Sequence, residues 1–120
     1  MRPQFIIELE NLGACPAAIR FAAQCESFKE AWAACENHGW IAWLICTTQD
    51  RAAIHKFVKW MNRKYPLHVS GWALRADGDV PWFEVCYMVR RAYGDTKLAA
   101  KALKSAFPLT NVPKPRWTWQ

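Results

Sequence analysis

The chain lacks any hydrophobic run long enough to cross a membrane, although apolar residues make up 52% of it. Its longest apolar stretches, 39–46 and 80–83, fall far short of the roughly 20 residues that a transmembrane helix needs. Glu8 and Glu10 interrupt the apolar residues near the N-terminus, which argues against a secretory signal peptide. We therefore expect a cytoplasmic protein that makes no contact with a membrane.

The sequence also lacks the motifs of common catalytic and metal sites. It has no glycine-rich phosphate loop, no nucleophile elbow and no HExxH helix. None of its three histidines has a cysteine or histidine three or four residues further on, which argues against zinc. We expect no enzymatic activity, no cofactor and no metal, with a cysteine-dependent enzyme as the more distant alternative.

Paired cysteines are lacking as well. The five cysteines are odd in number and form no CxxC pair, unlike the even sets of secreted disulfide-rich domains. Most of them stand among Ala, Trp and Ile, where a free thiol behaves as a small buried hydrophobe. We expect these thiols to contribute to packing and not to chemistry.

What the chain has instead is tryptophan and an uneven distribution of charge. It holds eight tryptophans and a net charge of +6. Residues 1–49 carry three Lys/Arg and five Asp/Glu, whereas residues 50–120 carry thirteen and five. A basic half of this kind predicts a positive surface that faces a negatively charged partner.

The hydrophobic pattern predicts a mainly α fold: a single compact domain of about five helices, with a minor extended or short β segment near 67–75. We expect one helical domain over 1–120, in which 108–120 form a proline-containing C-terminal tail. Ser27 and Glu30 have the spacing of a capping box, in which the Glu30 carboxylate reaches back to Ser27. Other expected helix starts are Pro16, Asp50, Asp79 and Asp95, the expected stops are Gly13, Tyr65 and Gly94, and a break or kink is expected at 37–39.

Helical spacing also predicts which faces are buried. In the helix after Asp50, the pattern places Ile54, Phe57, Val58 and Met61 inward and His55 on the polar side. In the helix after Asp79, the residues expected inward are Trp82, Val85, Cys86, Val89 and Tyr93. In the helix after Asp95, they are Leu98, Ala102, Leu103 and Ala106.

Residues 12–45 resemble a pattern found in small phage and bacterial proteins, some of which are provisionally labelled immunity proteins. The resemblance rests on Leu12–Ala18, which contain a Gly-Ala-Cys turn, on Ser27–Glu36, which contain Ala-Trp-x-x-Cys, and on the Trp-rich segment Trp40–Leu44. In those proteins an Arg-Gly-Asp-Trp or similar stretch follows the Cys-Glu pair, whereas residues 37–40 here read Asn-His-Gly-Trp and lack the acid. The resemblance implies a mobile-element protein, and it carries no catalytic chemistry over to this chain.

The candidate partner-binding residues are cations and the two last tryptophans. Lys56, Lys59 and Arg63 share one helix face, and Lys97, Lys101 and Lys104 form a second stripe at i, i+4 and i+7. In the tail, two cations stand beside two tryptophans, which either stack on a partner or fold back into the core. The full set is Lys56, Lys59, Arg63, Arg90, Arg91, Lys97, Lys101, Lys104, Lys114, Arg116, Trp117 and Trp119.

These patterns favour a small basic interaction protein over an enzyme. The leading hypothesis is a phage- or mobile-element-type protein that binds, and thereby inhibits, a partner protein or nucleoprotein complex through its basic C-terminal half. The main alternative is direct binding of nucleic acid by the same surface, through release of counterions from phosphates. The sequence does not indicate an oligomeric state.

Overall fold

Seven helices make up most of what the computed structural model describes, namely residues 2–65 and 80–116. They are α1 (Gln4–Leu12), α2 (Pro16–Ala22), α3 (Phe28–Ala34), α4 (His38–Thr48), α5 (Arg51–Lys64), α6 (Trp82–Tyr93) and α7 (Thr96–Ala106). These residues contain no strand, so the predicted mainly α class is confirmed. The helices outnumber the expected five because short, sharply capped breaks divide the first half. The segment 67–75 and the expected cap Asp79 lie outside the described residues.

The helix ends follow local sequence signals. Gly13 adopts a left-handed φ of 93° after α1, and Gly94 does the same at 72° after α6. Asp50 accepts a hydrogen bond from the Ala52 amide (3.2 Å), and Asp95 accepts from the Lys97 and Leu98 amides (2.7 and 3.1 Å). These side chains satisfy helix amides that have no partner within the helix.

The capping box before α3 is displaced by one residue from its predicted form. Ser27 Oγ accepts from the Glu30 amide (3.1 Å) as expected, but the Glu30 carboxylate accepts from the amide of Glu26 (2.8 Å) and not of Ser27. The chain then breaks at Cys35, and Asn37 begins α4 by accepting from the Trp40 amide (3.1 Å).

The centre of the molecule is formed by α4, α6 and α7, which pack against one another. Ala42, Val89 and Leu103, one from each helix, are completely buried there. Most residues of α4 are buried, including Ile41, Leu44, Ile45 and Thr48, so this helix is apolar around most of its circumference. A helix of that kind is stable in water only when neighbours cover it.

The buried faces of α5, α6 and α7 differ from the predicted ones at several positions. In α7 the buried residues are Ala99, Ala100 and Leu103, whereas Leu98 is 52% exposed and Ala106 is exposed. The buried face of α7 is therefore rotated by about one residue, or roughly 100°, from the predicted face. The small residues Ala99 and Ala100 face the central helices, where Leu98 was expected. Trp82 is 43% exposed at the start of α6, and His55 is buried on α5 and not solvated.

The chain after α7 returns to the body of the protein. Trp32 Nε1 donates to the carbonyl oxygen of Phe107 (3.2 Å), which ties α3 to the end of α7. Leu109 and Val112 are half-buried against the core. Residues 108–115, which belong to the proline-containing segment, form neither helix nor strand. Trp117 and Trp119 lie outside the described residues.

Candidate functional site

A groove of about 750 Å³ runs between α5 and α7 and collects three of the predicted cations: Lys56, Arg63 and Lys101. We call it the α5–α7 groove. Its apolar residues include Phe57, Trp60, Leu98 and Phe107. Among the described helices, α5 packs chiefly against α4, and the groove lies between its outer side and α7.

Aromatic rings give this groove a fixed shape. Phe57 and Phe107 meet edge to face with ring centres 5.7 Å apart, and Trp60 lies 6.2 Å from Phe57. Trp60 is 41% exposed, and the Lys64 ammonium lies 5.1 Å from its ring centre. The half-exposed indole is thus in contact with a neighbouring ring on one side and close to a cation.

No acidic residue is present among the described residues that line this groove, and neither Arg51–Lys64 nor Thr96–Ala106 contains Asp or Glu. The nearest acids in sequence, Asp50 and Asp95, are occupied as helix caps. The amides of Leu98 and Lys97 lower the pKa of Asp95 below its ordinary value, so this cap is ionised at neutral pH. Burial and the neighbouring Tyr65 raise the pKa of Tyr93, which also lines the groove, to about 12.

The three lysines of the predicted α7 stripe have different neighbours. Lys101 lines the groove, but Lys97 Nζ lies 3.5 Å from the Glu36 carboxylate. The Lys104 ammonium donates to the carbonyl oxygens of Ala33 and Cys35, each at 2.8 Å. Lys104 therefore completes the C-terminal end of α3, where helix carbonyls have no partner within the helix.

The remaining predicted cations are spread over other parts of the surface. Lys59 is exposed on α5 and Lys114 on the tail, and Arg90 and Arg91 are exposed at the end of α6. Arg116 lines a cavity of about 470 Å³ together with Arg51, Cys46 and Thr47. His38 is the first residue of α4. Its pKa is lowered chiefly by burial and, to a smaller extent, by the positive charge of Arg90. The structure therefore brings a trio of cations together and leaves the others apart.

The cysteines differ in accessibility more than the sequence suggested. Cys35 and Cys46 are buried, Cys25 and Cys86 are half-buried, and Cys15 is exposed. Burial raises the pKa of the Cys25, Cys35 and Cys86 thiols. Within 2–65 and 80–116, no three His, Cys, Asp or Glu residues are arranged to hold a metal ion.

A second concave site was missed by sequence reasoning. An apolar cleft of about 480 Å³ lies among α1–α4 and the start of α6. Its walls include Cys15 and Ala18, the rings of Phe21, Trp40 and Trp43, and the exposed Trp82. Most of its lining comes from the Gly-Ala-Cys turn, the Ala-Trp-x-x-Cys helix and the Trp-rich segment. The occurrence of these three motifs close together in the sequence was the signal that could have indicated the cleft.

Comparisons with protein families, with curated proteins and with solved structures found no match to this chain. Among the described helices, none combines the length and apolar character required to cross a membrane. The site is therefore interpreted from its own geometry and charge.

Proposed function

We propose that this protein is a non-enzymatic, phage- or mobile-element-type interaction protein that binds a partner protein or nucleoprotein complex and inhibits it by covering its surface. The basic α5–α7 groove is the contact. The supporting observation is the combination of Lys56, Arg63 and Lys101 with a half-exposed Trp60 in one groove whose described lining contains no Asp or Glu. The mobile-element character rests on the sequence resemblance alone.

The occupant proposed for this groove is a protein segment that pairs an apolar side chain with carboxylates. The aromatic floor of Phe57 and Phe107 offers a site for an apolar anchor, and tryptophan and arginine are the side chains that most often dominate binding energy at protein interfaces. The flanking cations would accelerate encounter with an acidic surface and fix its orientation. Binding by complementarity alone requires no catalytic group.

The experiment compares two charge-reversal variants in capture of the partner from the native host and in kinetics with the purified partner. The groove variant is Lys56→Glu/Arg63→Glu/Lys101→Glu. Its matched control, Arg90→Glu/Arg91→Glu/Lys114→Glu, changes the same number of exposed cations outside the groove. We expect the groove variant to slow association about tenfold or more at low salt, because a local field acts on encounter. The control should associate at nearly the wild-type rate.

Truncation of the aromatic anchor separates the apolar contribution from the electrostatic one. Trp60→Ala should mainly accelerate dissociation and weaken binding by about 2 kcal/mol or more, as expected for a central anchor. The groove variant and Trp60→Ala should both retain the far-UV circular dichroism spectrum of the wild type. Unchanged partner binding by the groove variant and by Trp60→Ala would contradict the proposal and move the contact elsewhere.

Direct nucleic-acid binding is the second candidate, and the observation that favours it is the exposed Trp60 in one groove with Lys56 and Arg63. Cations supply phosphate contacts and an indole can stack on a base. Gel shifts with non-specific DNA and RNA across a salt series test it. Equal losses in the groove and control variants, with affinity falling steeply as salt rises, would favour nucleic acid over a protein partner.

A further inference from the structure

The apolar cleft is built by five elements that converge on one space. The turn between α1 and α2 contributes Cys15, α2 contributes Ala18 and Phe21, and α4 contributes Trp40 and Trp43. Residues of α3 and Trp82 of α6 close the other sides. Phe21 and Trp40 lie with ring centres 6.0 Å apart and planes inclined at 48°, so two aromatic walls face the space at an angle.

The chemistry of the lining selects for an uncharged molecule. None of the described residues that line the cleft is Asp, Glu, Lys, Arg or His, although the chain as a whole has a net charge of +6. Transfer of a charged group into such an environment is costly, because no partner compensates for the lost hydration. Asn37 is a polar residue at the edge, and its side-chain oxygen already accepts from the Trp40 amide.

The size of the cleft is suited to a small molecule. Its volume of about 480 Å³ falls within the roughly 300–1,000 Å³ that is typical of small-ligand sites, which are concave and mainly apolar. We infer that the apolar cleft binds a small, uncharged, ring-containing apolar molecule. This site is separate from the α5–α7 groove, so the inference does not depend on the proposed function.

The test uses N-phenyl-1-naphthylamine, a neutral aromatic probe whose fluorescence increases in apolar surroundings, with the full chain. The site variant is Ala18→Phe, which places a ring in the cleft from a half-buried position that is not part of the core cluster. Its control is Ala17→Phe, the same change at the preceding, exposed residue of α2. Circular dichroism and thermal unfolding verify that both variants fold.

We expect saturable binding to the wild type and to Ala17→Phe, and a loss of about tenfold or more in affinity for Ala18→Phe, since the added ring takes up part of the cleft. The anionic analogue 1-anilinonaphthalene-8-sulfonate should bind about tenfold more weakly than the neutral probe, although the protein is cationic. Absence of saturable binding, equal affinities of the two folded variants, or equal binding of the neutral and anionic probes would overturn the inference.

A measurement on the unaltered chain gives an answer even where Ala18→Phe fails to fold. Cys15 is exposed and lines the cleft, so a maleimide should label it before the other four thiols. A saturating concentration of the neutral probe should slow the labelling of Cys15 several-fold and leave unaffected the thiols that do not line the cleft, namely Cys25, Cys46 and Cys86. Labelling of Cys15 at the same rate with and without bound probe would place the probe elsewhere and overturn the inference.

Discussion

Lys104 is a surface lysine whose ammonium group supports the fold. It donates to the carbonyl oxygens of Ala33 and Cys35 at the end of α3, 69 to 71 residues away in sequence. Carbonyls at a helix C-terminus have no intrahelical partner, and the helix dipole favours a cation there. Lys101, one turn earlier on the same helix, is exposed and lines the α5–α7 groove. Two lysines of one stripe thus have different roles.

We predict that Lys104→Met lowers the free energy of unfolding by about 1–2 kcal/mol, because two carbonyl oxygens lose a charged donor. Lys101→Met, the matched control, should change it by no more than about 0.5 kcal/mol, as for most exposed substitutions. Urea denaturation measures both. Equal stability of the two variants would mean that the Lys104 contacts contribute nothing to the fold.

Helix α3 is a short element that depends on contacts at both of its ends. Ser27 caps its first turn, and the Trp32 indole packs in the core, stacked on Phe28 with ring centres 5.9 Å apart. The same indole donates to the carbonyl oxygen of Phe107. A seven-residue helix is not stable alone in water, so these tertiary contacts hold it in place. They also link the wall of the apolar cleft to the floor of the α5–α7 groove.

For this element we predict a graded series of stability losses. Ser27→Ala should cost about 1 kcal/mol through the lost cap. Trp32→Ala should cost about 3–5 kcal/mol, because it leaves a cavity and removes the donor to Phe107. Trp32→Phe keeps a ring and should fall between the two. Thermal or denaturant unfolding checks the order, and a Trp32→Ala loss no larger than that of Ser27→Ala would contradict the assigned packing of α3.

At the scale of the whole molecule, stability is concentrated in the central helices. α4, α6 and α7 pack against one another, and Ala42, Val89 and Leu103 are excluded from solvent at their junction. Both concave sites border this centre: α1–α3 line the apolar cleft together with α4, and α5 lines the groove together with α7. The outer helices thus complete each concave site, and a central helix supplies one of its walls.

This arrangement predicts the pattern of native-state hydrogen exchange. Amides of α4, α6 and α7 should exchange slowest, with protection approaching the global free energy of unfolding, because their opening requires loss of the core. Amides of α1, α2 and the outer side of α5 should exchange faster through local opening. Mass spectrometry of exchanged peptides makes the measurement. Slowest exchange in α1 or α5 would show that the stable centre lies elsewhere.

The sequence by itself determined the helical class and many of the helix ends. Gly13, Ser27, Asp50, Gly94 and Asp95 end or begin helices as predicted, because a cap involves only residues within a few positions of one another. The basic character of α5 and α7 was also readable, since it depends on composition alone. Signals of this kind act over one helical turn and need no knowledge of neighbouring elements.

Only the tertiary structure decided which faces are buried and which cations remain available. Leu98 is exposed and His55 is buried because the positions of α4 and α6 determine which side of each helix is covered. Lys104 contacts α3 while Lys101 lines the α5–α7 groove, although the sequence places both in one stripe. The groove and the apolar cleft exist only where separate helices converge. A pattern along one helix specifies its own periodicity, but burial depends on what packs against it.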